Sequence, residues 1–273
     1  MPLKGQKIGC LGGGAMGEAL VTGLLREGLV APADLYVSDI NQERLEYLNK
    51  KLGVNITADN TAAIKAADIV ILAVKPQVII PLLKEIAPAA RMSQTFISIA
   101  AGITIEQLQS CFESPIPVVR VIPNTPCLLG EGASAISAGK YACEENIKKA
   151  VAIFAAAGKV AAVPETLLDC VTGLSGSGPA YMYVIMEGFI DGAVRLGLPR
   201  DTARVLVAQT MLGAAKMVLE TGEHPGKLKD MVTTPGGTTM AGLFALEEGS
   251  VRALMMKAVA AAAERSREMS IIK

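Results

Sequence analysis

Lys7-Ile8-Gly9-Cys10-Leu11, short and mostly apolar, runs into Gly12-Gly13-Gly14-Ala15-Met16-Gly17 and then into Glu18-Ala19-Leu20-Val21-Thr22-Gly23-Leu24-Leu25-Arg26-Glu27. Apolar residues in the last stretch recur at helical spacing, so the sequence reads strand, tight turn, helix. The turn has the G-x-G-x-x-G form. One of its positions takes a backbone angle closed to residues with a Cβ, and another lets a pyrophosphate approach the main chain. The helix after the turn points its free N–H groups and positive dipole end toward phosphate. Dinucleotide binding is the expectation; a structural turn without a ligand is the alternative.

Outward from that turn, strand and helix alternate. Asp34-Leu35-Tyr36-Val37-Ser38-Asp39 reads as a second strand ending in an acid. An acid about 20 residues past the fingerprint hydrogen-bonds the ribose hydroxyls of NAD and repels the extra phosphate of NADP. A strand-end turn former is the other reading of Asp39. Helix is expected over 43–52 and 60–67, with a short strand at 54–56 between them. Asp68-Ile69-Val70-Ile71-Leu72-Ala73-Val74 is the continuous apolar run of a strand covered on both faces, and it stops at Lys75-Pro76. Ligands lie beyond the carboxyl ends of such strands, so Ala73, Val74, Lys75 and Pro76 form a natural crevice wall, with a solvated loop as the other reading of Lys75. A helix over 78–87 leads to a strand at 95–100, closed by Ala100, Ala101 and Gly102, small enough for a flat nicotinamide to lie against the backbone. Further strands are expected at 117–122, 133–136 and 159–163, with a helix at 144–157; the whole is a doubly wound α/β sheet.

The chain has 273 residues, 26 basic against 26 acidic, and 51% hydrophobic residues. Such a charge balance gives no long-range field favouring nucleic acid or an anionic membrane. Every apolar run is broken well short of the roughly 20 residues that span a bilayer. The first strand begins too early to leave room for a secretion signal, so a cytoplasmic location is expected. Cys10, Cys111, Cys127, Cys143 and Cys170 are scattered and never in C-x-x-C spacing, which suits buried thiols and gives no metal site. The single histidine, His224, lies in a His-Pro-Gly turn and reads as a turn residue.

At Pro164 the pattern changes to long helices rich in Ala, Leu, Val and Met. Two domains are therefore expected, a dinucleotide-binding domain over 1–163 and an all-helical domain over 164–273. The helix expected over 179–197 carries only Glu187, Asp191 and Arg195 as charges, a narrow polar stripe on an apolar cylinder. Burying it nearly all round calls for helices of two subunits packed together, with a central position inside one subunit as the other reading. Further helices are expected at 200–221, 240–248 and 251–269, with a short piece reaching Val232. Between them Thr233-Thr234-Pro235-Gly236-Gly237-Thr238-Thr239 gathers hydroxyls and glycines at a helix start. A threonine there is suited to cap the helix, and free N–H groups of Gly237, Thr238 and Thr239 suit a carboxylate; an ordinary capped loop is the alternative. The glycines of Ser175-Gly176-Ser177-Gly178-Pro179-Ala180-Tyr181 suit either close approach to a cofactor or tight helix packing.

At these residues the sequence resembles the pyrroline-5-carboxylate reductase family. The resemblance is carried by Gly12 to Gly17, Ala73-Val74-Lys75-Pro76, Ala100-Ala101-Gly102, Asn124-Thr125-Pro126, Thr172-Gly173-Leu174-Ser175-Gly176-Ser177-Gly178-Pro179-Ala180-Tyr181 and Asp230-Met231-Val232-Thr233-Thr234-Pro235-Gly236-Gly237-Thr238-Thr239, in order along nearly the whole chain. It implies a Rossmann domain, a helical domain that interlocks into a homodimer, and a ring of such dimers as a larger assembly. The implied reaction passes hydride from NADPH or NADH to the imine carbon of 1-pyrroline-5-carboxylate, giving L-proline. Thr234, Gly237 and Thr238 are implied to hold the substrate carboxylate, and the Thr239 hydroxyl to bond the ring nitrogen. Gly12, Gly13, Gly14, Ala15, Met16 and Gly17 are expected to hold the cofactor with Asp39 and Asn60, and Ala73 to Pro76 and Ala100 to Gly102 to wall it. Asp39 departs from the family's frequent Ser or Thr at the ribose phosphate and tilts the expectation toward NADH.

Two other classes compete. β-Hydroxyacid dehydrogenases share the domain pattern but carry a catalytic lysine in a G-x-G-x-x-x-K frame, where this chain has Met182 after Gly176 and Gly178. From another class entirely, a non-catalytic dinucleotide sensor would bind a partner through its helical domain.

Overall fold

Residues 2–271 are described in a computed structural model. The alternation becomes β1 (Ile8–Leu11), α1 (Ala15–Arg26), β2 (Leu35–Ser38), α2 (Gln42–Leu52), β3 (Asn55–Thr57), α3 (Asn60–Ala66), β4 (Ile69–Leu72), α4 (Pro76–Ile86) and β5 (Thr95–Ser98). It continues through α5 (Ile105–Gln109), β6 (Val118–Ile122), β7 (Gly132–Ala138), α6 (Glu144–Ala155) and β8 (Gly158–Ala162). One eight-stranded sheet results, in the order β3-β2-β1-β4-β5-β6-β7-β8. All pairings are parallel except β6 with β7. That one reversal comes from the chain itself: only a short 3-10 turn at Thr125–Leu129 joins β6 to β7, too little for a parallel crossover.

Two apolar layers flank the sheet because successive strand residues face opposite ways. Ile69 and Ile71 pack with Leu20 and Leu24 of α1 and Phe154 of α6. Val70 and Leu72 pack with Ile64 of α3 and Ile79 and Leu83 of α4. The strand order reverses between β1 and β4, whose following helices α1 and α4 pack on opposite faces of the sheet, and this opens the crevice in which doubly wound sheets hold ligands.

Past the sheet come α7 (Leu168–Val171), a π-turn at Thr172–Gly176, α8 (Gly178–Arg195), α9 (Arg200–Thr221), α10 (Pro225–Met231), α11 (Thr238–Glu248) and α12 (Val251–Ile271). The chain divides into two compact units: residues up to Ser177 with those from Ala261 onward, and Gly178–Ala260. Composition changes at Pro164, but the segment to Ser177 packs with the sheet. Leu168 is buried against Ile122 and Ala135.

In the second unit α8 and α9 are neighbours, joined at their turn by an Asp191–Arg200 ion pair of 2.8 Å. The Tyr181 hydroxyl donates to the Ala258 carbonyl at 3.4 Å. Apolar side chains of α8 nevertheless stand open: Tyr183 is 61% and Val184 68% exposed, with Phe189 and Leu206 of α9 also exposed. An apolar surface of this extent marks an interaction face. The short piece before Val232 is the helix α10. Proline at its first position hides it as a turn, and His224 caps it, its Nδ1 accepting the Gly226 N–H at 3.0 Å. Among the described residues no helix is long and apolar enough to cross a membrane.

Candidate active site

The glycine turn is built from contacts that leave no space for a side chain. Gly12 has φ +110°, its N–H donates to the Ser38 carbonyl at 2.8 Å, and an added Cβ would stand 2.6 Å from the Ala73 carbonyl oxygen. On Gly17 an added Cβ would overlap the Gly12 carbonyl, so helix and turn meet without clearance. Gly14, the N-cap of α1, faces open space. Glu18 is the first residue of the helix whose N–H finds a backbone acceptor, Gly14 at 2.9 Å; Ala15, Met16 and Gly17 have none among the described residues. Open space in front of Gly14 and three unclaimed donors at a helix start fit a pyrophosphate.

At the ribose end, Asp39 comes directly after β2. Its Oδ2 accepts the Gly13 N–H at 2.7 Å and its Oδ1 the Asn41 N–H at 2.9 Å, which ties the carboxylate to the glycine turn. Asn60 opens α3 and its Oδ1 accepts from the Ser38 hydroxyl at 2.7 Å, placing it beside the end of β2. Arg44 of α2, which the periodicity gave no reason to single out, donates from Nε to the Gly13 carbonyl at 2.5 Å and pairs with Glu18. Glu18 also accepts from Lys51 at 2.7 Å and from the Tyr47 hydroxyl at 3.3 Å. Partial burial pushes the Glu18 carboxyl up, but hydrogen bonds from Lys51 and Arg44 outweigh it and hold the group below its ordinary range. Under the turn, burial and then the charge of Asp39 push the Cys10 thiol up to about 12. Cys10 is therefore a packing sulfur and not a nucleophile.

Beyond β4, the Ala73 N–H donates to the Leu11 carbonyl at 2.8 Å, and Val74 leads to Lys75, the exposed N-cap of α4, with Pro76 at the first helical position. Beyond β5, Ala100 is buried, Ala101 half-buried, and Gly102 turns with φ +70° against Met269 of α12. All of these residues sit at the carboxyl ends of their strands, in the first unit.

Two polar groups next to them were not legible from periodicity. Arg120, a lone charge in apolar β6, is 3% exposed and donates to Glu165 Oε1 at 3.0 Å; its Nε and Nη2 are buried without partners. Glu165 Oε1 also accepts the N–H of Ile105, at the start of α5, at 2.7 Å. Asn124 lies just past β6, donating from Nδ2 to the Ser175 carbonyl at 3.0 Å and accepting the Ala133 N–H at 2.9 Å. A single charge inside an apolar strand was the available signal for Arg120.

In the second unit the threonine loop joins α10 to α11. Thr233 donates to the Lys229 carbonyl at 2.8 Å and Gly236 turns with φ +67°. Two expectations are corrected here. The N-cap of α11 is Gly237 with no side-chain cap, so no threonine performs that role. The Gly237 N–H is not free either, since it donates to the Thr234 carbonyl at 3.0 Å. The turn at Gly236 folds the loop back on itself and uses that donor. The N–H groups of Thr238 and Thr239 have no acceptor among the described residues, and with the hydroxyls of Thr234, Thr238 and Thr239 they can receive a small anion.

Comparison with known proteins places both halves. Residues 165–269 match the pyrroline-5-carboxylate reductase dimerisation family, and residues 7–102 the family of coenzyme F420-dependent NADP oxidoreductases. A pyrroline-5-carboxylate reductase of Methanosarcina acetivorans is 46% identical, over 98% of this chain and 99% of the relative. One from Arabidopsis thaliana is 42% identical over 99% and 98%. Among solved structures, a pyrroline-5-carboxylate reductase from Coxiella burnetii superposes with a TM-score of 0.93 at 36% identity, covering 97% of this chain and 98% of that one. The Plasmodium falciparum pyrroline carboxylate reductase, with NADP bound, gives 0.87 at 34% identity over 98% and 99%. The order of motifs along the chain, the doubly wound sheet and the full-length matches agree: the chain belongs to the pyrroline-5-carboxylate reductase family.

Proposed function

We propose that the chain reduces 1-pyrroline-5-carboxylate to L-proline, taking hydride from a reduced nicotinamide dinucleotide. The observation that carries this reading is the open helix start at Gly14–Gly17 on a chain matched end to end by proteins of that name. Gly12 to Gly17 hold the pyrophosphate, Asp39 and Asn60 border the adenosine ribose, and Ala73 to Pro76 with Ala100 to Gly102 wall the nicotinamide half. The dinucleotide supplies the hydride. Thr234, Thr238 and the backbone N–H groups of Thr238 and Thr239 hold the substrate carboxylate beside the turn at Gly237, and the Thr239 hydroxyl bonds the ring nitrogen. A threonine hydroxyl is too weak an acid to protonate an imine, so Thr239 orients nitrogen while the proton arrives with the substrate or through water.

Oxidation of NADH or NADPH on addition of 1-pyrroline-5-carboxylate tests the reaction; no oxidation of either would return the chain to the dehydrogenase or sensor readings. Thr239→Val is expected to lower kcat about tenfold, the worth of one hydrogen bond of roughly 1.4 kcal/mol, with dinucleotide affinity unchanged. Unchanged turnover would remove Thr239 from the mechanism.

The ribose end supports NADH as the preferred donor. Asp39 is held toward the glycine turn, and Arg44 and Lys51 are already paired with Glu18. Two anions balance two cations there, so no surplus positive charge receives a 2′-phosphate. The ratio of kcat/KM for NADH over NADPH is expected to be about 10 or more; equal efficiency would overturn the preference. The open apolar face of α8 and α9 supports a homodimer through the helical unit, and a ring of such dimers is the larger assembly we infer. Five free cysteines support a reducing, cytoplasmic setting.

A further inference from the structure

The π-turn at Thr172–Gly176 ends on an i to i+5 bond, with the Ser177 N–H donating to the Thr172 carbonyl at 2.8 Å. Ser175 lies inside it. Continued α-helix would give the Ser175 carbonyl the N–H of residue 179, but residue 179 is proline and has none. The missing donor comes from far along the sequence, as Asn124 Nδ2 reaches Ser175 O at 3.0 Å. Asn124 is 8% exposed, and its Oδ1 is fixed in turn by the Ala133 N–H of β7 at 2.9 Å, which sets the direction of the amide. Both ends of one buried amide are thus occupied, one by the sheet and one by the turn.

The place matters. Asn124 stands just past the carboxyl end of β6, and β6 neighbours β5, whose own end leads into Ala100–Gly102. A Cβ added to Gly176, in the turn, would stand 3.9 Å from Cγ2 of Ile122, the last residue of β6. The held turn therefore lies on the strand-end side of the sheet, where a doubly wound fold presents its ligand. A carbonyl left bare and buried there would cost about 1–3 kcal/mol, enough to make the turn repack. π-Bulges of this kind recur at functional sites because they re-aim backbone that a regular helix would fix elsewhere.

We propose that Asn124 is a positioning residue for hydride transfer: by supplying the hydrogen bond that Pro179 cannot, it holds the Ser175–Ser177 backbone at the nicotinamide end of the crevice. This rests on the reductase reading above. Both polar ends of the Asn124 amide are committed to backbone, and the glycine turn to which dinucleotide affinity is assigned lies at β1. Its loss is thus felt in turnover and not in cofactor binding.

The test uses the full-length protein. Asn124→Asp keeps size and shape but turns the donor facing Ser175 into an acceptor. The expected result is a fall in kcat of about tenfold or more, with the dissociation constant for NADH, read by nicotinamide fluorescence, within about threefold of the parent. A kcat within about twofold of the parent, or equal losses in kcat and NADH affinity, would overturn the proposal. A second comparison does not depend on the aspartate variant folding. Asn124→Ala with Pro179→Ala restores a backbone N–H at 179, and is expected to recover about fivefold or more of the kcat lost in Asn124→Ala alone. No recovery would overturn it. Failure of the unaltered protein to reduce 1-pyrroline-5-carboxylate would instead strike the reductase reading.

Discussion

Gly17→Ala is expected to weaken dinucleotide binding strongly and lower the melting temperature, while Gly14→Ala weakens binding alone. At Gly17 the new methyl overlaps the Gly12 carbonyl and crowds Cys10, with or without ligand. Relief requires the turn to shift, and overpacking of this kind costs about 1–3 kcal/mol of stability. At Gly14 nothing in the protein lies within 4 Å of an added Cβ, and the residue's φ of −64° suits alanine. The methyl there meets only what the turn binds. NADH affinity should fall about 100-fold in both variants, roughly 2.7 kcal/mol. Thermal melting of the unliganded protein separates them, Gly14→Ala staying within about 2 °C of the parent. Unaltered NADH binding by Gly14→Ala would mean that no phosphate sits at this helix start.

The second large effect falls on the buried Arg120–Glu165 pair. Glu165→Ala should destabilise the protein by about 2–3 kcal/mol, and Arg120→Met by clearly less. Removing one partner of a buried ion pair leaves the other charge uncompensated, at a cost of about 3–5 kcal/mol when both are sealed in. Arg120 is sealed, with two nitrogens already lacking partners; Glu165 is about one-third exposed, so water relieves part of the loss. In Arg120→Met the remaining carboxylate keeps its bond from Ile105 and its share of solvent, and a methionine fills the space among Val118 and Ile122. Urea unfolding of the two variants checks the order. Arg120→Met as the weaker protein would show that the arginine acts through more than Glu165.

How much of this was legible in the sequence differs by region. The strands and helices of the sheet were readable because short apolar runs and amphipathic stretches carry their own period. The antiparallel β6–β7 pair comes from a loop too short for anything else. At residues 164–177 composition and packing point different ways: the composition changes to that of the long helices and the dimerisation-family match begins at 165, yet Leu168 is buried against Ile122 and Ala135. Packing partners distant in sequence leave no local period. The same holds for Asn124, whose meaning depends on a proline more than fifty residues on. In the threonine loop the residue types marked a helix start, but which residue stands at the cap of α11 depended on the Gly236 turn. Arg44 looked like one more charge on a solvated helix until the turn of the chain brought it to Gly13.

The first unit also contains the far end of α12. Ser266, near the end of the chain, is buried and donates to Asp169 at 2.6 Å, and Met269 lies against Gly102. During synthesis the eight strands are complete about a hundred residues before those side chains exist. A nascent chain thus carries its whole sheet through the making of the helical unit with the surface around Gly102 and Asp169 uncovered. The earliest part of the protein to form is among the last to close.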